Sequence, residues 1–450
     1  MRLIVILALA GILLGADTAV TVHPDRPLRS DADRWIGVNI NYIRDHDANR
    51  PPGARPLSEA VDDLGARWLR FPGGEKSDFH RFAKAPYLRS EPVSLGWYAK
   101  PQGTRMDFDQ YMVLCRERGA TPYVVVACDS QQRTGTTWDE QLEHAVAWVR
   151  YARDTGYRVR HWEIGNENWH NKTASPQEMA AQVTRFARAM KAVDPEIRIG
   201  ASGNSPGWWR EFLPLVAADL DFLTVSVYNA WGWKTYGRLL TEPEPELLGD
   251  ARHALLGIDS LPAGPDRERL RVIVVETNSR DYSTDGWSST NTLGHAIVTF
   301  ESFGRFLREP RIEAAMLWST RWVDDHKALE DIFYSLDQHN RITASGMAVA
   351  LWGRHLHRDL LTVDVTAGRP VRAHASASAD AKKWTIWLIN RGLEPASIRL
   401  DRGGLGGPVR GWRLSGTGVD DVHPVIAPFT VSETETWDLP PLSISVLLGG

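Results

Sequence analysis

Eight short apolar, β-branched runs recur along the chain, with helical stretches between them. The runs are Ile36–Asn41, Ala66–Phe71, Thr121–Ala127, Val159–Ile164, Ile197–Ala201, Phe222–Tyr228, Leu270–Val275 and Ala314–Trp318. Apolar residues return at helical spacing over Trp138–Asp154 and Pro176–Val193. Ser175-Pro176-Gln177-Glu178 reads as a helix start, with a capping hydroxyl and Pro at the first helical position. Strands alternating with helices give a parallel sheet. Eight repeats favour a closed (β/α)8 TIM barrel over an open doubly wound sheet, and we place it at residues 31–357. No Gly-rich phosphate loop follows the first run, which disfavours a dinucleotide fold.

The pattern changes after a last helix at Thr343–His355. Short alternating runs follow, at Leu361–Val365, Trp384–Ile389, Ser397–Leu400 and Ser443–Leu447, with turn residues between them. They predict a C-terminal antiparallel β-sandwich domain over 358–450. An early extended segment within 20–30, beginning Val20-Thr-Val-His23, precedes the barrel and has the character of a strand that joins this sheet. Residues 1–19 open with Met1-Arg2 and an apolar run from Leu3 to Leu14, the pattern of a secretory signal and too short for a comfortable membrane span. The mature protein is thus expected to be secreted or periplasmic. Cys115 and Cys128 fall at opposite ends of a βα layer, so two free thiols are expected rather than a disulfide. A formal charge of −4 gives no reason to expect nucleic acid or an anionic membrane as partner.

In a barrel of this kind the active site lies at the C-terminal ends of the strands. Those ends carry Asn39-Ile-Asn41, Arg70-Phe-Pro-Gly-Gly-Glu75, Cys128-Asp129, Asn166-Glu-Asn-Trp169, Tyr228-Asn229, Glu276-Thr-Asn278 and Trp318. Carboxylates, amides, one Arg and aromatics converge on one mouth. There is no cluster with metal-ligand spacing and no Gly-x-Ser-x-Gly elbow, so no cofactor or metal is expected. Glu167 and Glu276, from the fourth and seventh strands, suggest a carboxylate pair at the retaining separation of about 5–5.5 Å. Glu276 is the expected nucleophile. Glu167 is the expected acid and then base, protonated at the start because of burial and the like charge of its partner. The 19 tryptophans are the compositional outlier; Trp169, Trp231, Trp233, Trp287, Trp318 and Trp322 follow strands, where flat rings can stack on sugars.

Asn-Glu ending the fourth strand and a lone Glu ending the seventh resemble the clan A retaining glycoside hydrolases. Leu69-Arg-Phe-Pro-Gly-Gly74, Gly165-Asn-Glu167 and the C-terminal sandwich are most similar to glycoside hydrolase family 51, the α-L-arabinofuranosidases. The resemblance covers the layout of the mature chain and a few short motifs. It implies that Asn166 binds the hydroxyl next to the reacting carbon. It further implies that Tyr228 hydrogen-bonds the nucleophile, that Arg70 orients Glu276 by a charge-assisted bond, and that Trp318 floors the sugar site. Two positions depart from it. Glu75 follows Pro-Gly-Gly where the family usually carries Asn, and Ser226 stands where it usually places His. Glu75, Asn41, Trp169 and Asn278 are further candidates for contact with substrate, and Asn168, His170 and Trp287 sit on loops over the mouth.

These readings predict a retaining glycoside hydrolase of the α-L-arabinofuranosidase kind, working by double displacement on plant or algal polysaccharide or oligosaccharides from it. An endo-acting clan A glycanase of agarase or endo-glucanase type is the alternative, since Trp169, Trp231, Trp233 and Trp287 would suit an extended cleft. A non-catalytic carbohydrate-binding protein would be expected to lose one of the two glutamates. The sugar, the linkage and the oligomer are not written in these motifs.

Overall fold

Helix starts in this chain are set by local side chains. Thr137 with Glu140 and Ser175 with Glu178 form reciprocal capping boxes, and Asp107 with Gln110 forms a third. The helices they begin cover a barrel in the computed structural model, which describes residues 18–100, 103–241, 244–280, 286–287, 291–321, 334–366, 370–431 and 436–450. A first strand, β1 (Thr18–Arg29), lies outside the barrel. The barrel strands are β2 (Ile36–Asn39), β3 (Trp68–Phe71), β4 (Thr121–Val126), β5 (His161–Ile164), β6 (Arg198–Ser202), β7 (Phe222–Val227), β8 (Arg271–Thr277) and β9 (Ile312–Leu317). All are parallel, and the ring closes in sequence order, with β9 pairing back to β2 at Met316 and Gly37. Residues 1–17, which hold most of the expected signal segment, and Trp322 lie outside the described residues.

The barrel interior is layered. Trp68, Tyr123, Val125, Phe222, Ile273, Val275, Ala314 and Met316 fill its apolar part. Two residues further along β3 and β7, on the same inward face, come Arg70 and Thr224, and Glu163 of β5 bonds to both; all three are fully buried. The polar layer opens toward the C-terminal mouth. On β8 strict alternation would send Glu276 outward with Val274. A register shift against β7, between Val274–Val225 and Glu276–Ser226, inserts one residue and turns Glu276 inward just after inward Val275.

Eight strands complete the second unit: β10 (Asp359–Val365), β11 (Val371–Ala377), β12 (Trp384–Asn390), β13 (Ala396–Asp401), β14 (Val409–Ser415), β15 (Val425–Phe429), β16 (Thr436–Leu439) and β17 (Ser443–Gly449). The expected antiparallel region is present, as one hydrogen-bonded sheet in the order β15-β14-β17-β12-β11-β10-β1-β13-β16. One pair departs from antiparallel: β1 runs parallel to β13, while pairing antiparallel with β10 on its other edge. Val20 of β1, Ile386 of β12, Ile398 of β13 and Trp437 of β16 share one core, so the sheet curls around itself. It docks on the barrel through Trp387, whose indole donates to Leu351 O at 3.0 Å, and through Tyr236, whose hydroxyl donates to Arg391 O at 2.7 Å.

Cys115 and Cys128 are both free and buried, as expected. Burial pushes the Cys115 thiol up to about 12, so it is an inert core group. No helix among the described residues is long and apolar enough to cross a membrane.

Candidate active site

An arginine buried inside a barrel must spend every N–H or pay heavily for the charge. Arg70, at the end of β3, has a partner for each of its five donors. Nε donates to Glu163 Oε2 at 3.0 Å, and Nη2 reaches the same oxygen at 2.9 Å. Nη1 donates to Asn39 Oδ1 at 3.0 Å and to Glu276 Oε1 at 2.8 Å. Nη2 also donates to Asn166 Oδ1 at 2.8 Å. Burial alone would lower the guanidinium's pKa, but Glu163 and Glu276 outweigh it and hold the group charged. Arg70 thus joins four barrel strands or their ends at one point. Asn39 was read only as part of a strand end, and Glu163 was not singled out from the sequence. The signal was present in Glu163: an inward strand position cannot hold a carboxylate without a cation.

Glu276 receives a second bond. Tyr228, just past the end of β7, donates its hydroxyl to Glu276 Oε2 at 2.7 Å. Both carboxylate oxygens therefore accept a hydrogen bond from a positioned donor. The backbone comes close on the same side. A Cβ on Gly74 (φ +49°) would lie 2.1 Å from the Trp318 ring and 2.9 Å from Glu276 Oε1, so only glycine lets this loop pass. Trp318 forms a cavity wall, backed by the buried Lys76, whose ammonium sits 4.5 Å from the ring centroid. Burial draws that ammonium down to about 7 against the opposing charges of Glu276 and Asp45.

Glu167 follows β5 by a sharp turn. Gly165 (φ +73°) and Glu167 (φ +46°, ψ 50°) both take left-handed backbone. For glutamate this costs about 1–2 kcal/mol. The turn is held by Asn168 N donating to Ser202 Oγ at 2.9 Å, by that hydroxyl returning a bond to Asn168 Oδ1 at 2.9 Å, and by His170 N donating to Glu167 O at 2.7 Å. Burial first, and the charge of Glu276 second, raise the Glu167 carboxyl to about 7. One mouth therefore holds a carboxylate bonded at both oxygens and a second carboxyl that keeps its proton to near neutrality. Such an unequal pair has the chemistry that displacement at an acetal carbon requires, one group to attack and one to protonate.

A cavity of about 860 Å³ contains both glutamates, and Glu75, Trp169, His170, Ser226, Tyr228, Trp231, Asp250, Arg280 and Trp318 are among the residues that line it. Asn166 lies beneath, 3 % exposed and bonded to Arg70. Two expected substrate contacts point elsewhere. Asn41 is fully buried, donating to Arg321 O at 3.0 Å and accepting from Ile43 N at 3.2 Å, because its loop needs an internal brace. Asn278 likewise ties Trp318 O, at 2.7 Å, to Arg280 N, at 2.7 Å. Of the four loop tryptophans that suggested an extended cleft, Trp233 and Trp287 belong to the core, Trp287 stacked 3.7 Å from His295. Trp169 and Trp231 remain at the cavity, Trp231 60 % exposed. Arg133, Asp250 and Arg280 are charged groups at or beside the mouth that sequence reasoning did not select.

Comparison with known proteins points to one family of glycoside hydrolases. Residues 60–211 match the family model described as the α-L-arabinofuranosidase 1 domain. α-L-Arabinofuranosidase C of Emericella nidulans is 25 % identical over 224 residues, which cover 42 % of each chain. A probable α-L-arabinofuranosidase C of Aspergillus fumigatus is 24 % identical over 167 residues, 32 % of this chain and 31 % of the relative. The matched segments thus span less than half the length of these fungal relatives. The fold is similar over nearly all of the chain to solved structures. A thermostable family 51 α-L-arabinofuranosidase from Thermotoga petrophila superposes with a TM-score of 0.77 at 19 % identity, covering 96 % of this chain and 100 % of that one. A family 44 xyloglucanase from Paenibacillus polymyxa superposes less well, with a TM-score of 0.63 at 11 % identity, covering 96 % and 99 %. The chain is similar to the clan A, family 51-like glycoside hydrolases, on a TIM barrel with an added β-sheet unit.

Proposed function

We propose that this protein is a retaining glycoside hydrolase with α-L-arabinofuranosidase-like activity, acting on plant or algal polysaccharide or on oligosaccharides from it. The observation that carries the reading is the unequal setting of the two glutamates. Glu276 accepts from Arg70 and Tyr228, while Glu167 keeps its proton up to about 7. In the first step a Glu276 oxygen attacks the anomeric carbon. The bond from that carbon to the leaving oxygen breaks, and Glu167 delivers its proton to that oxygen. The product is a glycosyl ester on Glu276. In the second step ionised Glu167 takes a proton from water, the water oxygen bonds to the anomeric carbon, and the carboxylate of Glu276 departs.

Asn166 presents its amide below the cavity. Oδ1 is taken by Arg70, and Nδ2 makes no hydrogen bond among the described residues, which suits donation to the hydroxyl beside the reacting carbon. Trp318 offers a flat wall for the sugar ring. With Trp233 and Trp287 in the core and Trp169 and Trp231 left at the cavity, the site favours release of single sugars from chain ends or branches over cleavage within an extended cleft. The apolar N-terminal segment supports export of the enzyme to the periplasm or the medium.

The test is a screen of aryl glycosides and arabinose-bearing polysaccharides, with NMR of the first-formed anomer. Aryl α-L-arabinofuranoside is expected to be cleaved with retention of configuration, and polysaccharide to yield monosaccharide at early times. Inverted product, or oligosaccharides as the first products, would reject the mechanism or the mode of attack respectively.

A further inference from the structure

Beside the two glutamates, the cavity wall carries an ion pair that the steps above do not use. Glu75 follows directly on Gly74, the residue packed against Trp318 and Glu276, and lines the same cavity. Its Oε1 accepts from Arg133 Nη2. Its Oε2 makes no hydrogen bond among the described residues, and the side chain is 45 % exposed. Arg133 is fixed in its turn. Nη1 donates to buried Asp78 Oδ2 at 3.0 Å and to Asn171 Oδ1 at 3.3 Å, and the guanidinium lies 4.6 Å from the Phe79 ring centroid. The carboxylate is clamped at one oxygen and open at the other, next to where the sugar ring must sit.

We propose that the Glu75–Arg133 pair determines specificity by demanding a free hydroxyl on the bound sugar at the position facing Glu75. An ionised carboxylate only accepts hydrogen bonds. A free hydroxyl can donate to Oε2. An O-methyl or O-acetyl oxygen has no proton to give and sets acceptor against acceptor, and a deoxy position leaves Oε2 without its bond. An amide in the same place would tolerate either kind of group, because it both donates and accepts. Arg133 is a positioning residue here: it holds the carboxylate in one orientation and meets the sugar only through Glu75. The inference rests on the proposed sugar-binding role of the cavity and specifies which sugars it excludes.

The experiment is a scan of L-arabinose and its monodeoxy and mono-O-methyl derivatives against the full chain. Binding is read by tryptophan fluorescence, and kcat/KM is read in parallel on the matching aryl α-L-arabinofuranosides. In the wild type, one position is expected to lose about 10–100-fold on deoxygenation or methylation, the size of one hydrogen bond to a charged group. In Glu75→Gln the methylation penalty at that position should fall below about threefold. Arg133→Gln should give an intermediate penalty, seen in KM rather than kcat, and Arg133→Lys should restore part of it. The proposal is overturned if the wild type tolerates every derivative, or if Glu75→Gln keeps the full penalty at the same position. Because binding is read apart from turnover, arabinose that binds with the predicted discrimination but is never released from a glycoside would reject the hydrolase reading and leave the pair's role intact.

Discussion

Arg70 and Glu276 lie 206 residues apart in the chain and meet at 2.8 Å inside the barrel, both nearly closed to solvent. The same guanidinium holds Glu163, so removing it strands two buried carboxylates at once. Breaking a buried ion pair from one side costs about 3–5 kcal/mol. Arg70→Gln is therefore expected to lose stability on that scale in urea unfolding, and to lose activity even where it remains folded. Arg70→Lys keeps a charge but offers three donors in place of a planar fork, and it should recover stability more than kcat.

Tyr228 tests the other oxygen of Glu276. Its hydroxyl bond at 2.7 Å is made to a carboxylate, a class worth about 1.5–3 kcal/mol. Tyr228→Phe should lower kcat by about 10–100-fold with little change in unfolding midpoint. An unchanged kcat would mean that the bond does not outlast formation of the covalent intermediate.

Much of this arrangement was legible in the sequence, for a physical reason. Parallel barrel strands are apolar on both faces, so a charged residue within or just after one stands out, and Arg70, Glu167 and Glu276 did. What was not legible depends on register and on loops. The inward turn of Glu276 comes from a one-residue shift between β8 and β7, which no alternation pattern announces. Asn41 and Asn278 end strands as the site residues do, but their amides brace neighbouring loops. Trp233 and Trp287 follow strands too, yet both side chains are buried, Trp287 stacked on His295. Arg133 sits in a four-residue helix whose direction only the assembled fold decides.

The acid role of Glu167 separates from that of the nucleophile by leaving group. Glu167→Ala should cleave activated aryl glycosides at a reduced rate and natural linkages hardly at all, because only the latter need a proton for departure. Azide, a small anion needing no general base, should restore turnover and leave a glycosyl azide with retained configuration. Glu276→Ala should fall by several orders of magnitude on every glycoside, activated or not. Full activity of Glu276→Ala on any glycoside would falsify its assignment as nucleophile.

The pH dependence follows from the same residue. Glu167 must hold its proton for the first step, and its carboxyl is raised to about 7 by burial and by Glu276. The free enzyme should therefore lose kcat/KM as pH rises through about 7, and Glu167→Gln should show no such limb in its residual activity on activated substrates. Stability moves in the same direction, over a lower window. In the unfolded chain the carboxyl ionises near 4.3, well below its folded value, so between the two the folded state binds more protons. Stability is thus lost as pH rises through that window, by up to about 3–4 kcal/mol once Glu167 is ionised in the folded protein. Glu167→Gln removes the penalty. It should match the wild type in urea unfolding at pH 4 and exceed it at pH 8, and a variant no more stable at pH 8 than the wild type would show that the carboxyl is not held protonated by its surroundings.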